Sequence, residues 1–187
     1  MLILASSSPR RKEILDLVKV HFKIIPSNID EGSLKYDGSK EDYPLFLSSK
    51  KAEDVYRNHQ NDVVIGADTI VIIDGEVLGK PKDEKEAHVM LKKLQNKTHL
   101  VITGVTIKAK DKTLSFSERS EVTFYPISDE EIDEYIKTKE PMDKAGAYAI
   151  QGIGSKFIKG INGDFYNVMG LPVAKLLHVL DENKIEY

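Results

Sequence analysis

Asp68 interrupts an otherwise apolar run, with Val63-Val64-Ile65-Gly66-Ala67 before it and Ile70-Val71-Ile72-Ile73 after it. A carboxylate is costly to bury without partners, so one inside a strand core serves as a ligand or a base, or else caps its own backbone in a turn. Asp30-Glu31 follows a shorter apolar run and offers the second carboxylate that a Mg²⁺-like ion takes alongside phosphates and water. The competing reading of that pair is a solvated acidic loop. Arg10, Arg11, Lys51, Lys80 and Lys82 come from separate segments, and only folding can gather them on one polyphosphate. Taken singly, each is a surface charge.

Ser6-Ser7-Ser8-Pro9-Arg10-Arg11-Lys12 has the order of an anion site. Ser8 can cap a helix whose first position is Pro9, where the missing N–H costs nothing. Two arginines then stand in a first turn that ordinarily favours acidic residues, and a bound anion, best a phosphate, compensates them. The alternative is a solvated basic turn. The chain has no Walker A pattern and no GxGxxG, and His21, His59, His88, His99 and His178 show no metal-ligand spacing.

At 187 residues and 41% hydrophobic, the chain can bury one well-packed domain or two small lobes sharing a core, and residues 1–187 are read as a single domain. A net charge of −3 argues against a nonspecific nucleic-acid partner and makes any anion site local. The absence of cysteine removes disulfides, thiolate zinc sites and cysteine nucleophiles, and fits a reducing cytoplasm. No signal-peptide core is present, and no apolar run approaches the roughly 18 residues of a membrane span. These features predict a cytoplasmic protein without a membrane partner.

The elements that must position these groups can be outlined from pattern. Residues 1–5 and 22–26 read as strands, with a helix from Pro9 to Val18 between them. Glu41 to Gln60 reads as a helix with Leu45, Leu47, Ala52 and Val55 as a loose stripe and Pro44 in its first turn. Asp74-Gly75 predicts a tight hairpin turn after the Asp68 strand, and Asp83 with Glu86 a capping box for a helix through Leu94. Residues 100–108 and 114–125 alternate as a long antiparallel hairpin, and Ser128 with Glu131 forms a second capping box. The small-residue run 145–152 implies a close backbone approach, 156–169 a reversal around Asn162-Gly163-Asp164, and 171–180 the last helix. The predicted fold is α/β: a mixed twisted sheet with flanking helices, as two lobes around a central cleft.

Ser6-Ser7-Ser8-Pro9-Arg10-Arg11, Gly66-Ala67-Asp68-Thr69, Gly79-Lys80-Pro81 and Ala145-Gly146-Ala147-Tyr148-Ala149-Ile150-Gln151-Gly152 resemble, in that order, the motif series of the Maf family. The likeness runs over essentially the whole chain, including Lys50-Lys51-Ala52 and the segment from Gly163 to Pro172. It implies a house-cleaning nucleotide hydrolase that converts nucleoside triphosphates to monophosphate and pyrophosphate with a divalent metal, Mg²⁺ or Mn²⁺, and that forms a homodimer. Ile150-Gln151-Gly152 is similar to the branch acting on dTTP and UTP. By the same resemblance Asp68 is the proton acceptor, with Lys51, Lys80 and Arg11 as further catalytic groups on the phosphates. Arg10, Thr69 and Gln151 then govern substrate choice, Ser8 and Lys82 bind substrate with them, and Glu31 joins Asp68 on the metal, a place Asp30 could also fill. Two rival functions remain open: an ITP/XTP-type purine pyrophosphatase, and a nucleotide-sensing regulator of cell division that turns nothing over.

Overall fold

The computed structural model describes residues 1–187. Strands β1 (Leu2–Leu4) and β2 (Phe22–Ile24) run parallel, joined by helix α1 (Pro9–Leu17). After 3₁₀ turns at Glu31–Ser33 and Lys40–Asp42 come α2 (Tyr43–Tyr56) and the long strand β3 (Val63–Ile73), parallel to β1. Asp68 and Thr69 lie within this continuous strand, not in a break between two shorter ones. Asp74 and Gly75 both take positive φ, as a type I′ turn requires, and return the chain as β4 (Glu76–Leu78) antiparallel to β3.

Helix α3 (Glu84–Leu94) precedes the hairpin of β5 (Thr98–Ala109) and β6 (Lys112–Phe124). Helix α4 (Asp129–Lys137) carries the full Ser128–Glu131 capping box. At α3 the box is only half made, because Glu86 Oε2 accepts from Lys82 N–H at 2.7 Å instead of from Asp83. Strand β7 (Ile158–Asn162) pairs antiparallel with β6, and α5 (Phe165–Met169) and α6 (Val173–Glu182) complete the chain. The seven-stranded mixed sheet has the order β2-β1-β3-β5-β6-β7, with β4 on β3.

The chain divides into two compact units, one of Met1–Asp68, Thr103–Glu118 and Gly170–Tyr187, the other of Thr69–Ile102 and Arg119–Met169. In the first, Ile3, Ala5 and Val64 of the sheet pack with Ala52 and Val55 of α2. In the second, α3 and α4 bury Leu91, Leu94, Ile132 and Tyr135 with Val101, Val122 and Phe124 of the strands. No helix is long and apolar enough to cross a membrane.

Candidate active site

Gly66 determines how the first unit builds its charged cluster. A Cβ there would collide with Ser48 O and Ala52 N, so the missing side chain lets α2 lie directly on β3. Asp68 is two residues on, hence on the same strand face. Tyr43, Leu47 and Lys51 recur at four-residue steps along one side of α2, which carries Lys51 to that face. Lys51 Nζ donates to Asp68 Oδ1 at 2.7 Å, with the two side chains only 12% and 14% exposed. The same ammonium pairs with Glu31 Oε1 at 2.9 Å.

The turn that holds Asp30 and Glu31 gives the two carboxylates different partners. Asp30 Oδ1 accepts from Gly32 N–H at 3.1 Å and caps its own 3₁₀ turn, and the half-exposed Glu31 is the one that reaches Lys51. Two carboxylates thus converge on one cation, and no third acidic or histidine side chain groups with them. That donor set fits a Mg²⁺-class ion sharing its coordination with substrate phosphates and water, not an all-protein cage.

Burial raises the Asp68 pKa from its ordinary value, against the opposing pull of Lys51 and Arg11. Arg11 does not fit the alternative reading of this segment as a solvated basic turn. It is buried, its Nε donating to Gly170 O at 2.7 Å and its Nη1 to Ser6 Oγ at 3.1 Å, and its charge lies in the field of Asp68. Ser8 occupies the N-cap of α1 with Pro9 behind it, but its hydroxyl makes no capping bond; Ser6 Oγ instead accepts from Ser8 N–H at 3.2 Å. Arg10 is half-buried.

Tyr43 is a member of the cluster that the sequence motifs do not single out. Burial and then the charges of Asp68 and Glu31 raise its pKa, which keeps a protonated hydroxyl near the cluster. The four-residue spacing to Leu47 and Lys51 was the available signal. The remaining candidates belong to the second unit. Thr69 is half-buried on β3, Lys80 and Lys82 are exposed after β4, and Gln151 is exposed between 3₁₀ turns at Ala145–Ala147 and Ile153–Phe157.

Known proteins resemble this chain in both sequence and fold. A family model described as Maf-like protein matches residues 1–183. A protein of Bacillus mycoides (strain KBAB4) named dTTP/UTP pyrophosphatase is 52% identical over 181 residues, covering 97% of this chain and 94% of its own. One of the same name from Bacillus cereus (strain B4264) is 50% identical over 185 residues, 99% and 96% of the two chains. The solved structure of a HAM1 protein from Coxiella burnetii is similar in fold, with a TM-score of 0.52 and 14% identity over 97% of this chain and 98% of that one.

Proposed function

The chain belongs to the Maf-like protein family, and we propose that it is a nucleoside triphosphate pyrophosphatase hydrolysing dTTP and UTP to the monophosphate and pyrophosphate, a house-cleaning activity on the nucleotide pool. The substrate reading is supported by relatives of that name at half identity over nearly the full chain. The observation that carries the chemistry is a buried carboxylate of raised proton affinity, Asp68, held beside the Lys51 ammonium.

Water attacks the α-phosphorus, the α–β anhydride bond breaks, and pyrophosphate leaves with the bonding electrons. Asp68 takes the proton of the attacking water, and burial moves its basicity toward the range useful near neutral pH. Lys51 favours the ionised form of Asp68 before substrate arrives and then shares its donors with phosphate oxygens. Ser8, Arg10, Lys80 and Lys82 bind the phosphates and offset the charge of the leaving pyrophosphate. Arg11, committed to Gly170 and Ser6, contributes its charge from within the fold. Asp68 and Glu31 would hold Mg²⁺ or Mn²⁺, which when bound withdraws charge from the phosphates.

Thr69 and Gln151 read the base. Uracil and thymine share the O2 acceptor, N3–H donor and O4 acceptor, and a glutamine amide supplies a donor and an acceptor together. Residues 1–187 work as one catalytic domain, homodimeric and cytoplasmic, with neither nucleic acid nor membrane as partner; family resemblance and the net charge of −3 support this part. The test is pyrophosphate release from UTP, dTTP, CTP, ITP and XTP with Mg²⁺ or Mn²⁺. UTP and dTTP should lead; a lead by ITP or XTP means a purine enzyme, and UTP binding without release means a sensor.

A further inference from the structure

Gln151 stands in a short stretch whose backbone is held at three points by two side chains from elsewhere in the second unit. Helix α4 ends when Lys139 takes a left-handed φ of 63°, and the following 3₁₀ turn, Glu140–Asp143, turns Glu140 back. Glu140 Oε1 accepts from Ile153 N–H at 2.8 Å and its Oε2 from Gly154 N–H at 2.9 Å. The buried Tyr135 hydroxyl accepts from Ala149 N–H at 3.2 Å and donates to Glu140.

The glycines match this clamp. A Cβ on Gly152 would overlap Glu140 Oε1, and one on Gly154 would lie 2.6 Å from the Tyr135 oxygen. Burial alone would push the Glu140 pKa up, but the bonds from Tyr135, Gly154 and Ile153 and the nearby Lys144 outweigh it and hold the group below its ordinary value. The clamp is therefore ionised at neutral pH. Its charge satisfies the exposed Ile153 N–H and the buried Gly154 N–H, and with the Tyr135 bond to Ala149 it fixes the backbone on both sides of an exposed glutamine.

Fixation matters because a freely flipping amide would pair with cytosine as well as with uracil, whose donors and acceptors at N3 and at the exocyclic group are reversed. We infer that Glu140 and Tyr135 are positioning residues for base selection, fixing the 149–154 backbone so that its own N–H and C=O groups, which unlike the Gln151 amide cannot exchange donor for acceptor, meet the pyrimidine in one arrangement beside Gln151. This rests on the reading of the chain as a dTTP and UTP hydrolase.

The test measures dissociation constants for the α,β-imido analogues of UTP and CTP, which separates base discrimination from turnover. Glu140→Gln places an NH₂ against one of two backbone donors, and the wild-type preference for the UTP analogue should shrink by about tenfold or more. Tyr135→Phe should move it the same way by less. Ser128→Ala, which removes the α4 cap far along the chain from Gln151, controls for general loss of stability and should leave the preference unchanged. An unchanged preference in Glu140→Gln overturns the inference, as does an equal loss in Ser128→Ala. Pyrophosphate release is scored apart: a wild type that discriminates in binding but releases none fails as a hydrolase while the clamp stands.

Discussion

At the scale of single residues, Asp68 combines two demands that pull apart. Its ionised form is disfavoured by burial, yet the reaction needs that form as a base. Asp68→Asn should therefore cut kcat by about 10²–10⁴-fold while leaving Tm at or slightly above the wild-type value, since the neutral amide no longer buries a charge. Stopped activity with a large fall in Tm would assign Asp68 a structural role. Arg11 behaves oppositely. Arg11→Ala leaves the Gly170 carbonyl without its 2.7 Å donor, at a cost of about 1–3 kcal/mol and a Tm several degrees lower. Thermal denaturation checks this, and an unchanged Tm would mean that water replaces the guanidinium. The sequence marked both residues for chemistry, but it could not show that Arg11 faces inward: that depends on Gly170, 159 positions away.

At the scale of elements, the hairpin turns and helix starts were legible because their causes are local. Asp74-Gly75 and Ser128 with Glu131 carry their own conformational signals, and both form as those signals require. The Asp83 box failed in part because Glu86 turns to the neighbouring Lys82 N–H, whereas Asp68 lies inside β3 as the strand-core reading expected, with Lys51 partnering its carboxylate there. That partnership depends on α2 lying against β3 at Gly66. Gly66→Ala should push the helix off the strand, lowering stability by about 1–3 kcal/mol, and should lower kcat/KM more than a surface substitution of equal destabilisation. A variant that loses stability but keeps full activity per folded molecule would show that the Lys51–Asp68 pair tolerates the displacement.

At the scale of the whole molecule, the order of motifs along the chain pointed to the family before any contact was visible, and the family match over residues 1–183 agrees with it. What such motifs omit is the chemistry buried between them. His99, on β5, is 3% exposed, packs edge-on against Phe124 and Tyr148, and bonds Tyr148 Oη through Nε2 at 2.8 Å while its Nδ1 has no partner. Burial lowers its pKa from 6.5 to about 3. The folded protein thus holds His99 neutral while the unfolded chain protonates it below about pH 6.5, so this contribution is complete above that pH and declines toward pH 3. The decline approaches about 1.4 kcal/mol per pH unit, enough for one histidine to be a main cause of acid unfolding. Urea unfolding at pH 7.5 and 5.0 should show a steeper loss for the wild type than for His99→Gln, whose side chain does not titrate. Equal losses in the two proteins would mean that His99 protonates within the fold and that acid instability arises from the carboxylates.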